Sequence, residues 1–206
     1  MIVIIDYGMG NVGSIKNMLH RVGAQCVIAS DSEAIRSAEK LILPGVGAFD
    51  KAMECLDRLH LVDVLGEKVL HGGTPILGIC LGMQLLSNRS EEGQRPGLGW
   101  IDAETVRFRF DEPHAGLKLP HMGWTAIEVR RSSPILDDRY EESRFYFVHS
   151  YHVRCADDRD VLAVARYGIE FHAAVIRGNI LGTQFHPEKS HKFGMRLLKH
   201  FAEMPA

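Results

Sequence analysis

The chain has 206 residues, with 24 Lys and Arg against 26 Asp and Glu, a formal net charge of −2. That balance leaves no electrostatic case for a nucleic-acid or acidic-membrane partner, and no apolar run approaches the roughly 20 residues of a spanning helix. With 46% hydrophobic and 24% charged residues, the composition is that of a folded protein with a full core. The N-terminus, Met1-Ile2-Val3-Ile4-Ile5-Asp6, lacks the basic region and apolar length of a signal peptide. The four cysteines are scattered, with no Cys-x-x-Cys pair. Both features predict a cytoplasmic protein with free, mostly buried thiols.

In chain order, Ile2–Ile5 reads as a strand, followed by the turn Tyr7-Gly8-Met9-Gly10-Asn11 and a helix through Leu19 that stops at Gly23. Cys26–Ala29 is a second strand, and Ser30-Asp31-Ser32-Glu33 fits a capping box opening a short helix. Leu41–Leu43 is a third strand, ending in Pro44-Gly45-Val46-Gly47. Helical stretches near Asp50–Leu59 and Val62–His71 stop at Gly72-Gly73, and Ile76–Ile79 is a fourth strand. Strands alternating with helices predict a doubly wound, mostly parallel α/β sheet, whose sites lie at the carboxyl ends of the strands. The second half reads as strands over Trp100–Phe110, Thr125–Arg130, Phe145–Val153, Val161–Tyr167 and Ala173–Phe185, with a hairpin turn at Arg177-Gly178-Asn179. A last helix spans about Ser190 to Glu203. The stretches 89–98 and 111–119 are loop-like. With no linker or repeat, residues 1–206 are expected to form one α/β domain carrying an antiparallel extension.

The fourth strand runs into Gly78-Ile79-Cys80-Leu81-Gly82, and a helical pattern follows at once. Glycines two before and two after a nucleophile permit a tight strand-to-helix turn that lifts one side chain above the sheet. The raised atom here is sulfur, at a helix N-terminus where N–H groups favour a thiolate. A cysteine nucleophile needs a base, and the base needs an orienting partner. Thr183-Gln184-Phe185-His186-Pro187-Glu188 supplies both if the backbone stays extended, because His186 and Glu188 then point to one side. The same pattern also fits an ordinary helix entry, with Pro at its first turn.

Other readings are weaker. His149 and His152 are three apart in a strand-like segment, so they are expected on opposite faces, and no zinc-type spacing exists. Gly8-Met9-Gly10-Asn11-Val12-Gly13 matches a dinucleotide fingerprint in letters, with Asp31 about where an acidic residue is wanted. A lone match of that kind is weak and does not explain the Cys80 turn. Pro44-Gly45-Val46-Gly47 is either a plain turn or a loop aiming N–H groups at an oxyanion beside Cys80.

Together these segments resemble the triad, class I glutamine amidotransferases. With Asp6–Asn11, Pro44–Phe49, Pro120-His121-Met122-Gly123-Trp124, Tyr146–Tyr151 and Phe185–Ser190, the chain is similar, over essentially its whole length, to the glutaminase subunits of imidazole glycerol phosphate synthases of histidine biosynthesis. The resemblance implies Cys80 as nucleophile, His186 as acid/base and Glu188 as its orienter. It implies oxyanion donors from Leu81 and the Val46–Gly47 loop, and glutamine contacts from Gly47, Gln84, Ser150 and Tyr151. Met9, Asn11, Trp124, Tyr146 and Lys189 would face a (β/α)8-barrel cyclase subunit in a heterodimer. Neither metal nor cofactor is expected. By the same analogy, activity stays low until the partner binds its nucleotide substrate, with the Gly45–Val46 peptide as gate. The short stretch after Glu188 leaves no room for an ammonia-accepting domain, so the acceptor is expected on another polypeptide. Two stretches depart from the pattern: Asp50-Lys51, where a glycine is expected, and Arg89–Arg95. The rival readings are the glutaminase of another ammonia-using synthase, a γ-glutamyl hydrolase, or a non-catalytic regulatory module.

Overall fold

The computed structural model describes residues 1–112, 114–137 and 143–205; residue 113, within the loop-like stretch 111–119, lies outside them. The first half runs β1 (Ile2–Ile5), α1 (Val12–Arg21), β2 (Cys26–Ala29), α2 (Ser32–Ser37), β3 (Lys40–Gly45), α3 (Phe49–Arg58), α4 (Leu61–Gly66), β4 (Ile76–Cys80) and α5 (Leu81–Leu85). The second half runs β5 (Arg89–Ser90), β6 (Ala103–Arg107), β7 (His121–Val129), β8 (Arg144–His149), β9 (Tyr151–Cys155), β10 (Val161–Tyr167), β11 (Ile169–Arg177), β12 (Ile180–Thr183) and α6 (His191–Glu203). Nine strands form one sheet in the order β2-β1-β3-β4-β12-β11-β10-β7-β8. The pairings from β2 to β12 are parallel, and those from β12 to β8 are antiparallel. A small sheet, β5-β6-β9, stands beside it.

Strand alternation sorts the core onto the two faces of the sheet. Val3 and Ile5 of β1 pack with Ile35 of α2 and Phe49 and Leu56 of α3. Ile2 and Ile4 pack with Ile15 and Leu19 of α1 and Leu197 and Phe201 of α6. Helices therefore cover both faces, as double winding requires. The α1 helix starts because Asn11 caps it, its side-chain oxygen accepting from the Ser14 N–H. Past it the chain turns at Gly23, whose φ of 80° favours glycine. Among the described residues no helix is long and apolar enough to cross a membrane.

Several boundaries differ from the sequence reading. The cap of α2 is Asp31, accepting from the Ala34 N–H, rather than Ser30 of the capping box. The carboxylate reaches the free N–H groups of the first turn better than the hydroxyl one residue earlier, and this leaves Asp31 engaged as a cap. The second helical stretch after β3 continues from α4 through a π-helical turn, Glu67–His71, into Gly72. The expected strand Phe145–Val153 is two strands broken at Ser150: β8 pairs with β7 in the large sheet, and β9 pairs with β6 in the small one. The loop-like stretch 89–98 contains β5, and the expected strand Trp100–Phe110 contracts to β6.

The two departures from the resembled pattern meet each other in space. The Asp50 carboxylate accepts from the backbone N–H groups of Gln94 at 2.9 Å and Arg95 at 2.9 Å, and these bonds hold it below the usual carboxylate range. Arg95 in turn pairs with Asp57 at 2.7 Å. An acidic residue after Phe49 thus anchors the stretch that otherwise has no match.

Candidate active site

The glycines around Cys80 are required by distance. A Cβ on Gly78 would sit 2.7 Å from the Gly82 carbonyl oxygen, and one on Gly82 would sit 1.8 Å from the Leu43 carbonyl oxygen. Only without side chains can β4 reverse into α5 this close to β3. Cys80, at the apex, has φ 55° and ψ −109°. A non-glycine residue in that region costs about 1–3 kcal/mol, and such strain is concentrated at functional sites. The turn leaves Cys80 only 7% exposed.

The histidine arm arrives because β12 lies parallel to β4, with Thr183 opposite Ile79. Residues after Thr183 therefore emerge beside Cys80. The His186 N–H donates to the Tyr146 carbonyl at 2.9 Å. The Ser190 hydroxyl donates to the His186 carbonyl at 2.6 Å and accepts from the Tyr146 N–H at 3.0 Å. His186 Nδ1 and Glu188 Oε1 are 2.8 Å apart, and both side chains are almost wholly buried. The backbone between them is not extended, as the sequence reading required, but a 3-10 turn over Pro187–Lys189. The helix-entry pattern and the His–Glu contact coexist, since the turn itself carries Glu188 back to the ring.

His186 Nε2 is buried without a well-formed hydrogen bond among the described residues. Burial disfavours charge on this ring, but the Cys80 sulfur and the Glu188 carboxylate outweigh it and raise the imidazole to about 10. Both neighbours thus favour the imidazolium form of the ring. The other buried histidines behave oppositely. Burial lowers His121 to about 4, His149 to about 3 and His152 to about 4. His149 Nδ1 lies 2.8 Å from the Tyr151 carbonyl and must carry its proton there. Its Nε2 then accepts from His121 Nδ1 at 3.1 Å. His149 and His152, expected on opposite faces of one strand, both pack on Phe108 at 5.2 and 4.6 Å, because the break at Ser150 separates them into different sheets.

A cavity of about 260 Å³ brings together Cys80, Leu81, His186, Val46, Gly47, Gln84, Ser150, Tyr151 and Lys189. All the expected nucleophile, base, oxyanion and glutamine-contact positions line it except Glu188, which stands behind His186. Gly45, at the end of β3, pairs with Cys80, and a Cβ there would meet the Gly82 N–H nitrogen at 2.7 Å. Met9 touches Gly47. Trp124 and Tyr146 form a patch that meets the cavity at Lys189: Trp124 stacks on His191 at 5.4 Å and meets Tyr146 edge-on, and Lys189 lies over the Tyr146 ring. Asn11 is occupied in capping α1. Sequence reasoning missed Glu92 and His149 in the cavity and Gln184 behind it.

The fold and this site define a class. The model of the class-I glutamine amidotransferase family matches residues 3–204, and the chain belongs to that family. A crystal structure of a glutamine amidotransferase superposes with a TM-score of 0.76 at 20% identity, covering 98% of this chain and 99% of the other. The PurLQS structure from Thermotoga maritima superposes at 0.72, with 18% identity and coverage of 97% and 94%. Within the family, the chain is 54% identical over 201 residues to imidazole glycerol phosphate synthase subunit HisH 2 of Methanococcus maripaludis, covering 98% of both chains. It is also 54% identical to HisH 2 of Pseudomonas aeruginosa over 204 residues, covering 99% of this chain and all of the relative.

Proposed function

We propose that this chain, as a single amidotransferase domain over residues 1–206, is the glutaminase subunit of an imidazole glycerol phosphate synthase in the cytoplasm. Glutamine enters the cavity beside Gln84, Ser150 and Tyr151. The Cys80 thiolate attacks the side-chain amide carbon, and the oxyanion is held by the Leu81 N–H and a donor from the Val46–Gly47 loop. The His186 imidazolium gives its proton to the leaving ammonia, producing a γ-glutamyl thioester. Water, deprotonated by the now neutral His186, attacks the thioester, releasing glutamate and restoring the thiolate–imidazolium pair. Glu188 holds the ring through Nδ1 throughout. The observation that carries this reading is one cavity containing a strained, glycine-flanked Cys80 and a His186 ring backed by a buried carboxylate.

Ammonia would pass to a (β/α)8-barrel cyclase subunit, which uses it to make imidazole glycerol phosphate and an aminoimidazole carboxamide ribotide. The face offered to that partner is the exposed apolar rim of Val46, Met122 and Trp124, with Tyr146, Lys189, Met9 and Asn11 around it. Glutamine hydrolysis is measured with and without the cyclase and its nucleotide. Stimulation by the liganded cyclase, its loss in Cys80→Ala, and weakening of association by about tenfold or more in Trp124→Ala are expected. Near-normal activity in Cys80→Ala sinks the mechanism. Equal activity with and without liganded cyclase sinks the gating by the Gly45–Val46 peptide. A Cys80 that turns over glutamine but never associates with the cyclase points to another synthase.

A further inference from the structure

A chain of side-chain amides leads from a backbone carbonyl to the nucleophile. Gln84 Nε2 lies 3.1 Å from the Tyr151 carbonyl and 3.1 Å from Gln184 Oε1. Gln184 Nε2 lies 3.7 Å from Cys80 Sγ, an ordinary length for an N–H···S bond. Gln184 is fully buried, so its amide has no solvent to turn toward. The sense of every amide follows from one fixed acceptor. A main-chain carbonyl only accepts, so Gln84 must present its NH2 to Tyr151. The second hydrogen of that NH2 goes to Gln184, which must answer with its oxygen. Gln184 is then left with its NH2 facing the sulfur.

Resting on the glutaminase reading, we propose that Gln184 is a further catalytic residue, donating an N–H directly to the Cys80 thiolate and holding the sulfur in its attacking position. His186 Nε2, buried without a well-formed bond of its own, is then available to the leaving ammonia while Gln184 supports the sulfur. Gln84 acquires a second duty. Both its N–H groups are engaged by protein acceptors, so it offers glutamine its carbonyl oxygen, an acceptor for the substrate's ammonium or amide N–H. Contact with substrate and support of the nucleophile therefore pass through the same side chain.

The test uses the full chain as wild type, Gln184→Glu, which replaces one NH2 by oxygen, and Gln184→Met, of equal length. Alkylation of Cys80 by uncharged iodoacetamide is followed by peptide mass from pH 6 to 10. Burial pushes Cys155 up to about 12 and raises Cys26, and peptide resolution separates these thiols from Cys80. Both variants are expected to react about tenfold more slowly than wild type at pH 7, since a hydrogen bond to a charged group is lost. Equal rates in wild type and the folded variants overturn the proposal. Glutamine turnover by the wild-type complex with the cyclase is measured in parallel. Its absence removes the glutaminase reading itself, whereas turnover with unaltered alkylation in the variants removes Gln184 alone.

Discussion

Replacing Gly82 by alanine tests the architecture of the nucleophile turn more directly than replacing the nucleophile. The added Cβ would sit 1.8 Å from the Leu43 carbonyl oxygen and 2.8 Å from its carbon, where real Cβ contacts do not fall below 3.0 Å. Separation of more than 1 Å must therefore be found between two backbones. Leu43 is fully buried in β3, and β3 pairs with β4 at five positions from Leu41↔Ile76 to Gly45↔Cys80. Neither partner is the flexible end of a side chain, so relief comes from prying β3 from β4 or from unwinding the turn. Overpacking a tight site costs about 1–3 kcal/mol and occasionally more. Weakening two ladder hydrogen bonds adds about 1–3 kcal/mol. The expected loss is about 3–5 kcal/mol, read as a drop in the urea midpoint and a Tm lower by roughly 10 °C for a chain of this size. Gly13→Ala is the control. Gly13 lies in α1 with nothing within 4 Å of its Cβ position. Its replacement is expected to be neutral or stabilising by about 0.5–1 kcal/mol. If Gly82→Ala unfolds within 1 kcal/mol of wild type and keeps its turnover, the argument from backbone crowding is wrong.

The raised ionisation of His186 contributes stability that is complete below the ordinary histidine value near 6.5 and disappears as pH rises through about 10. Glu188→Gln is expected to bring that upper edge down and to reduce turnover about 100-fold or more, read from kcat and urea midpoints between pH 6 and 10.5; an unmoved edge contradicts the role given to the carboxylate. For His121, His149 and His152 the sign reverses. Their lowered values mean stability is complete above about 6.5 and falls as pH drops toward about 3 to 4, by up to about 2 kcal/mol per ring at pH 5. A flat urea midpoint between pH 7 and 5 would show that these rings take up protons equally in the folded and unfolded chain, and that burial does not lower them. Asp50→Ala frees the N–H groups of Gln94 and Arg95, and hydrogen exchange over residues 93–96 is expected to speed up several-fold, with little change in β4; unchanged exchange there rejects the anchoring role.

The parallel half of the fold was legible because each element there carries its own local signal. Ile2–Ile5 and Cys26–Ala29 are short apolar runs closed by turn residues, and both boundaries agree with the structure. The second half depends on pairings between distant residues. Nothing local in Phe145–Val153 announces that Ser150 divides two sheets, since the flanking residues are equally strand-like and only their partners differ. At the site, Cys80 and His186 stand out because their motifs encode backbone geometry, through Gly78 and Gly82 for the one and Pro187 for the other. His149 and Gln184 do not, because what brings them to the site is the parallel pairing of β12 with β4 and the corner at Ser150. Asp50 looked like a departure until the segment it binds came into view.

The corner at Ser150 also changes how distant substitutions are to be weighed. Immediately after it, Tyr151 is paired through β9 with Arg107 of β6 in the small sheet, while its carbonyl takes the protons of both Gln84 and His149. The small sheet is therefore a lever whose short arm ends at the reacting sulfur. A change of packing under β6 or β5 is expected to reach Gln84 and Gln184 through the Tyr151 carbonyl and to be read as an altered rate of Cys80 alkylation. Residues 89–107 belong to the site for this reason, through Glu92 in the cavity and through the Tyr151 carbonyl behind it.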